Sequence, residues 1–262
     1  MTDRRALITG AARRLGRAMA LDLAASGWAV AVHYNGSGAA AAEVKDEARA
    51  LGADAVALEA DLLDETATGA LIARAAEALG GPLSLLINNA SIFEDDRVGA
   101  QTRKSWDRAV ESNLRAPVRL TGDFANQAPE PETDAGGEPR ARAAIINMID
   151  QRVWKPTPYF ASYTVAKAGL EMFTRTSAQA LAPKIRVNAI GPGPTLRGDR
   201  QSEDHFARQR AACLLKRGAD PEDILLAMRF ILASKALTGQ MLAIDGGQHL
   251  AWQTPDILGI DL

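Results

Sequence analysis

Residues 6–25, ALITGAARRLGRAMALDLAA, join a short apolar strand to a helix through a turn of small residues. The pattern predicts a strand over 6–9 and a helix over 14–26 that stops at Gly27. Strands and helices alternate in this way to the end of the chain, which implies right-handed crossovers and a parallel sheet. The sequence therefore predicts an α/β fold, a doubly wound parallel sheet with helices on both faces.

The remaining elements follow from the same patterns, and one domain spanning residues 1–262 is the simplest organisation. A break is expected around Asn113, a surface loop over the polar, proline- and glycine-rich residues 129–138, and a substrate lid over about 194–216. The predicted strands are 6–9, 28–34, 54–59, 83–88, 143–148, 185–190 and 240–244, and the predicted helices are 14–26, 39–51, 64–79, 102–127, 159–181 and 220–234.

Composition excludes several classes of partner. The 262 residues carry a formal net charge of -2, which gives no reason to expect nucleic acid or an anionic membrane. No apolar run approaches the ~20 residues of a membrane helix. The first strand begins by residue 4 or 5, which leaves no room for a secretory signal, and the single cysteine, Cys213, excludes an intrachain disulfide or a cysteine metal cluster. We expect a soluble cytoplasmic protein without a metal site.

Asp150, Tyr163 and Lys167 provide an acid, a phenol and an amine within one stretch of the chain. Tyr163 and Lys167 are four residues apart on a predicted helix, so both point to one face. A free tyrosine has a pKa of about 10, and a nearby lysine cation lowers it, which produces a usable proton relay. The same spacing also occurs on ordinary helix surfaces, so the pair needs support from the rest of the chain.

The first strand-to-helix turn has the character of a phosphate site. Its small residues let the backbone approach a pyrophosphate, whose charge the helix N-terminus favours. Arg14 replaces the middle glycine of the usual three-glycine pattern, and an ordinary turn is the alternative. Arg13 and Arg14 supply positive charge where backbone contact is lost. The predicted cofactor contacts in this turn are Gly10, Arg13, Arg14, Leu15 and Gly16.

The second strand ends at His33, Tyr34 and Asn35 without an acid. Enzymes of this architecture that use NAD place Asp or Glu there to hold the ribose hydroxyls, and such an acid would repel a 2'-phosphate. The absence of the acid, together with Arg13, His33 and Ser37, favours NADP(H). His33 is alternatively a strand-end surface residue.

Two further strand ends supply candidate cofactor contacts. Asp61, followed by Leu62, either accepts from the adenine amino group or caps the next helix. Asn89, Ala90 and Ser91 follow the fourth strand, where a ligand crevice is expected in such a sheet.

Taken in order, these motifs resemble the short-chain dehydrogenase/reductase family over nearly the whole chain. The resemblance implies one Rossmann-type domain with seven parallel strands, usually in a homotetramer, and an active site of Asn113, Asp150, Tyr163 and Lys167. The matching pieces are TGAARRLG, Asp61, NNAS, Asn113 in VESNL, Tyr163 with Lys167, Gly191-Pro192-Gly193 and TGQMLAIDGG. By this resemblance, Pro192 and Gly193 are expected to contact the cofactor.

Asp150 departs from the family pattern, which normally has serine 13 residues before the tyrosine. That serine donates to an oxygen that gains negative charge. A carboxylate would instead repel the oxyanion by about 4 kcal/mol at about 4 Å, for an effective dielectric constant of about 20. An ionised Asp150 therefore argues against simple carbonyl reduction and suits a substrate nitrogen that receives a proton. The alternative is that Asp150 is protonated or turned away.

Asp150, Arg14 and the strand end His33-Tyr34 look like pteridine reductases within the family. That resemblance implies an NADPH-dependent reductase of a pteridine, dihydromonapterin or dihydrofolate. Phe93 falls where these enzymes place an aromatic over the pterin, although a core or lid hydrophobe is the alternative. Ser91 and Arg14 are expected at the polar edge of the substrate.

Lys167 and Asn113 have expected roles in the active site, and two other functions are open. Lys167 is expected to hold the nicotinamide ribose, and Asn113 to hold a water that connects Lys167 to solvent. A short-chain reductase of an unrelated carbonyl or quinone is the second interpretation, and a non-catalytic NADP-binding sensor or scaffold is the third.

Overall fold

A seven-stranded parallel sheet forms the centre of the computed structural model, which describes residues 4–198 and 201–254. In chain order the elements are β1 (Arg5–Ile8), α1 (Arg14–Ala25), β2 (Ala29–Tyr34), α2 (Gly38–Ala50), β3 (Ala55–Glu59), α3 (Glu65–Ala78), β4 (Leu85–Asn88), α4 (Arg103–Val110), α5 (Ala116–Gln127), β5 (Glu132–Thr133), β6 (Pro139–Arg140), β7 (Ala143–Met148), α6 (Ala161–Leu181), β8 (Ile185–Pro192), α7 (Glu203–Ala211), α8 (Pro221–Ala233) and β9 (Met241–Ile244).

The strand order is β3-β2-β1-β4-β7-β8-β9, and every neighbouring pair is parallel. The chain leaves β1 toward one edge and returns at β4 toward the other, so the order reverses between β1 and β4. Ligands bind beyond the carboxyl ends of the strands at such a reversal. The predicted α/β fold, with seven parallel strands and helices on both faces, is confirmed.

Two buried clusters hold the helices on the sheet. Successive strand residues point to opposite faces, so Ile8 packs with α1, α2 and α8, whereas Leu7 packs with α3, α5 and α6. All six residues of β7 are buried, as expected for a strand covered on both faces.

The predicted break around Asn113 is a π-helical segment, Glu111–Arg115, between α4 and α5. The predicted surface loop at 129–138 contains the short strand β5, which pairs antiparallel with β6 just after the loop. The Asp134 carboxylate organises the intervening turn by accepting from the main-chain N–H groups of Gly136 at 2.8 Å and Glu138 at 3.1 Å.

The predicted lid, 194–216, contains the helix α7, which the polar composition of this stretch did not predict. Ser202 caps α7 by accepting from the His205 N–H at 3.2 Å. Residues 199–200 of the predicted lid lie outside the described residues, as do residues 255–262 at the C-terminus. Within the described ranges, no helix has the length and apolarity needed to cross a membrane, and no group of three His, Cys, Asp or Glu side chains is arranged to hold a metal ion.

Close backbone contacts between the β1–α1 turn and β4 require two glycines. Gly10 has a φ of +62°, and a Cβ there would lie 2.9 Å from Ala90 Cα. A Cβ on Gly16 would overlap Gly10 O and lie 2.6 Å from Asn89 Nδ2. These contacts bring the start of α1 against the end of β4.

Gly16→Ala is expected to lower the free energy of unfolding by about 1–3 kcal/mol, because the added methyl forces neighbouring backbone apart. Gly122→Ala is the matched control, since a Cβ there meets nothing within 4 Å on a regular helix. The control should be neutral or stabilising by up to about 1 kcal/mol. Urea denaturation measures both, and an unchanged midpoint for Gly16→Ala would contradict the packing argument.

Candidate active site

A cleft of about 740 Å³ opens at the carboxyl ends of the strands. All the site residues predicted from the sequence line it except Asn113. The sheet therefore gathers residues from β1, β2, β3, β4, β7 and β8 at one edge, as the strand-end argument requires.

The Tyr163 hydroxyl donates a hydrogen bond to Asp150 Oδ2 at 3.0 Å. Asp150 follows β7 and caps a short 3-10 turn, Gln151–Val153, and its other oxygen accepts from the Arg152 N–H at 2.8 Å. The carboxyl therefore faces the cleft and the phenol, so the interpretation that it turns away is wrong.

A buried contact fixes the start of the helix that carries Tyr163. Asp96 is buried, and its carboxylate accepts from the Ser162 N–H at 3.0 Å and from the Ser162 hydroxyl. The Ala161 N–H donates to the Asp96 carbonyl at 3.3 Å. The segment that follows Phe93 is thus attached to the first turn of α6.

Burial dominates the electrostatics of the acid and the phenol. It raises the pKa of Asp150, and burial together with the Asp150 charge raises the pKa of Tyr163 well above 10. Lys167 does not bring the pKa of Tyr163 below its ordinary value, because burial outweighs the groups that oppose this rise, among them Arg152 and Ser91. The Tyr163 hydroxyl therefore keeps its proton at neutral pH and donates a hydrogen bond to the Asp150 carboxyl.

Lys167 lies beneath the phenol and is also buried. Its Nζ donates to the Met148 carbonyl at 2.7 Å and lies 5.8 Å from the centroid of the Tyr163 ring. Burial lowers the pKa of Lys167 to about 8. The amine is therefore fixed to β7 and still lines the cleft.

Asn113 does not line the cleft, because its side chain pairs with the main chain of Ile92. Its Oδ1 accepts from the Ile92 N–H at 2.9 Å, and its Nδ2 donates to the Ile92 carbonyl at 2.8 Å. These two bonds engage both polar atoms of the side chain and fix the segment between Ser91 and Phe93. The expected water at Asn113 stays a prediction.

Phe93 is 51% exposed and lines the cleft, so a core position for it is wrong. Its ring meets the Tyr163 ring edge-on, with centroids 4.7 Å apart. It stacks on Phe160 with centroids 4.1 Å apart and an interplanar angle of 11°. Sequence reasoning missed Phe160, and only its position just before α6 and near Tyr163 could have indicated it.

The N-terminus of α1 faces the cleft without a side-chain cap or an acid in its first turn. Leu15 and Gly16, at this terminus, line the cleft. Uncapped N–H groups and the helix dipole favour an anion here. The exposed Arg13 adds positive charge beside them.

His33 takes a position that the sequence did not suggest. It is 2% exposed, its Nδ1 accepts from the Gly10 N–H at 3.0 Å, and its Nε2 donates to the Ala60 carbonyl at 3.1 Å. Burial lowers its pKa to about 4, so it is neutral. His33 therefore holds the β1–α1 turn through the Gly10 N–H. It is neither a surface residue nor a phosphate-binding cation. The tautomer follows from these two bonds.

Arg14 connects the turn to the predicted lid. Its guanidinium donates to the carbonyls of Leu196 at 3.1 Å and Arg197 at 2.8 Å. Its φ of +54° lies in the region that favours glycine, which explains why a glycine is usual at this position.

Asp61 lines the cleft and is not a helix cap. Asp64 caps α3 by accepting from the Ala67 N–H at 2.9 Å, whereas Asp61 Oδ1 accepts from the Leu63 N–H at 3.0 Å. The helix-cap interpretation of Asp61 is therefore wrong.

Comparison with known proteins identifies the family. A family model described as enoyl-(acyl carrier protein) reductase matches residues 10–249. The crystal structure of FolM alternative dihydrofolate reductase 1 from Brucella suis, in complex with NADP, is 43% identical with a TM-score of 0.89, covering 97% of this chain and 98% of that chain.

Two curated relatives also span almost the whole chain. The 3-oxoacyl-[acyl-carrier-protein] reductase FabG of Staphylococcus aureus is 31% identical over 250 residues, covering 94% of this chain and 98% of the relative. The short-chain dehydrogenase/reductase eriH of Hericium erinaceus is 31% identical over 253 residues, covering 93% and 96%.

These relatives differ in the substrates that their names give, but they share a family. The predicted class, an NADP-dependent short-chain oxidoreductase, is confirmed at the level of the family. The chain belongs to the short-chain dehydrogenase/reductase family.

Proposed function

We propose that the protein uses NADPH to reduce a pterin-type heterocycle, such as a pteridine, dihydromonapterin or dihydrofolate. The observation that carries the proposal is the hydrogen bond from the Tyr163 hydroxyl to the Asp150 carboxyl at the cleft. A carboxyl with a raised pKa supplies a proton to a ring nitrogen, whereas a carbonyl oxygen needs a donor that does not repel it.

The cleft fits a phosphate-bearing cofactor. Gly16 brings the turn close to Gly10 and Asn89 beside the uncapped end of α1, and none of the cleft-lining residues of β2 is acidic. Tyr34, Asn35 and Ser37 would hold the 2'-phosphate end, and Asp61 with Leu62 the adenine. Asn89, Ala90, Lys167, Pro192 and Gly193 would hold the nicotinamide end. When bound, NADPH supplies the hydride.

The chain's own residues then orient the substrate and deliver its proton. Phe93 offers an exposed aromatic face to a flat heterocycle, with Arg14 and Ser91 at its polar edge. Tyr163 holds the proton at its hydroxyl oxygen, and Asp150 holds the hydroxyl in place and shares the proton. Asn113 fixes Ile92 and thereby the segment that presents Phe93.

The structural relative named as a dihydrofolate reductase supports this substrate class, and it is also the more similar in sequence. The 3-oxoacyl reductase relative favours a carbonyl substrate instead. The Asp150 carboxyl weighs against that alternative, because it accepts the hydrogen bond of the Tyr163 hydroxyl that a substrate oxyanion would need. A non-catalytic sensor has no need for the Tyr163–Asp150 contact.

We also propose that the chain works as one domain in a cytoplasmic homotetramer. Trp106 on α4, Val118 on α5, and Val165 and Met172 on α6 are exposed apolar side chains that an oligomer would cover. A reducing compartment keeps the buried Cys213 as a thiol.

Purified protein with NADPH is expected to reduce dihydrobiopterin or dihydrofolate with a kcat/KM about 10²-fold or more above that for a 3-oxoacyl thioester. NADH should be the poorer cofactor. The rate of NADPH oxidation with the pterins and with the thioester measures this substrate preference. Preference for the thioester would support the carbonyl alternative, and no turnover with either class of substrate would support the sensor.

Asp150→Ser is expected to lower kcat for the pterin by about 10²–10⁴-fold, because a positioned acid is lost. NADPH affinity should stay at the wild-type value. Asp95→Ser is the matched control, since Asp95 is exposed and does not line the cleft. Wild-type pterin reduction by Asp150→Ser would contradict the acid role.

Phe93→Ala is expected to raise KM for the pterin about 2- to 10-fold, as the loss of one aromatic stacking contact implies. NADPH binding should not change. Val98→Ala serves as the control, because Val98 is 86% exposed and does not line the cleft. Equal KM values for wild type and Phe93→Ala would remove Phe93 from the substrate site.

A further inference from the structure

Arg152 is a further cation that lines the cleft, two residues after Asp150, and no motif in the sequence marks it. It belongs to the 3-10 turn Gln151–Val153 that Asp150 caps. Its main-chain N–H donates to Asp150 Oδ1 at 2.8 Å. The backbone of Arg152 therefore fixes one oxygen of the carboxyl, and Tyr163 takes the other.

The guanidinium lies at the end of a row of aromatic rings. Its Cζ is 5.2 Å from the centroid of Phe160, which stacks on Phe93, and Phe93 meets Tyr163 edge-on. A cation over a ring face is attracted by the ring. This row holds the positive charge of Arg152 on the same side of the cleft as the phenol.

The charge of Arg152 is not neutralised by an ion pair. No carboxylate within the described part of the chain lies within the 4.0 Å ion-pair distance of it. Its Nε–H is buried without an acceptor there, and one terminal nitrogen donates to the Thr157 hydroxyl. A cation that no carboxylate pairs with acts on the charged groups around it.

We propose that Arg152 is a positioning residue of the reaction, whose N–H fixes the Asp150 carboxyl beside Tyr163 and whose positive charge favours release of the proton from that pair. The proposal deepens the proposed function. Only its turnover test depends on that function, and the carboxyl titration does not. Arg152 thus acts electrostatically on Tyr163, a role for which the sequence pattern indicated only Lys167.

The surrounding charges agree with this role. Asp150 faces Arg152, Tyr163 and Lys167, and Tyr163 faces Asp150, Arg152 and Ser91. Arg152 lowers the pKa of both members of the pair and so opposes burial, which raises both. Without Arg152 the pair would hold its proton to higher pH.

The direct test is a carbon-13 NMR titration of the Asp150 carboxyl in the full chain with labelled aspartate, assigned by the signal lost in Asp150→Asn. In Arg152→Met the midpoint is expected to rise by about one pH unit, because a nearby cation is removed. Arg152→Lys retains the charge and should titrate near the wild-type midpoint. Both variants keep the main-chain N–H that binds the carboxyl.

Arg97→Met is the matched control, since the Arg97 guanidinium also covers an aromatic ring, Tyr159 at 4.6 Å, but does not line the cleft. Its midpoint should equal that of the wild type. An unchanged midpoint in Arg152→Met, or an equal rise in Arg97→Met, would overturn the proposal. Arg152→Gln gives a second neutral variant if the methionine protein melts early.

Turnover separates this proposal from the proposed function. With a dihydropterin, the fall of kcat at high pH should begin about one pH unit higher in Arg152→Met than in the wild type. In Arg152→Lys it should begin at the same pH as in the wild type. A wild-type protein that does not reduce pterins would defeat the proposed function, while the carboxyl titration would still decide the role of Arg152. Wild-type turnover with an unmoved titration would defeat the role of Arg152 alone.

Discussion

The hydrogen bond between the Tyr163 phenol and the Asp150 carboxyl is the contact on which the site depends. The phenol donates to the carboxyl, and burial raises the pKa of both groups. The surrounding segments hold these two side chains in contact. The 3-10 turn after β7 presents the carboxyl, Asp96 fixes the start of α6, and Asn113 fixes the segment that carries Phe93.

The topology explains why these residues meet. Parallel strands place their carboxyl ends at one edge, and the reversal between β1 and β4 opens a crevice there. The phosphate turn, held by Gly10 and Gly16, forms one end of the crevice. The aromatic row and the acid pair form the other. The turn, the aromatic row and the acid pair therefore line one cleft.

Much of this arrangement was predictable because it depends on local patterns. Periodicity predicted the strands and the long helices, and strand ends predicted which residues line the cleft. The π-helical segment at Asn113 was predictable only as a break, since Asn113 bonds to the main chain of Ile92, 21 residues away in the sequence. The pair of β5 and β6 was missed because two-residue strands leave no periodic signal.

The contacts at the site that sequence reasoning did not predict concern side-chain direction, which sequence spacing does not determine. His33 points inward to Gly10 and Ala60, Arg14 reaches the lid carbonyls, and Lys167 bonds to Met148. Arg152 and Phe160 carry no motif, and only the folded chain brings them beside Tyr163.

Thermal denaturation of the NADPH-loaded protein tests the central claim, a cleft built for a ring nitrogen, most directly. Saturating dihydrobiopterin is expected to raise the melting temperature above that with NADPH alone, through ligand linkage, and a 3-oxoacyl thioester is not. A rise with the thioester and none with the pterin would contradict this account.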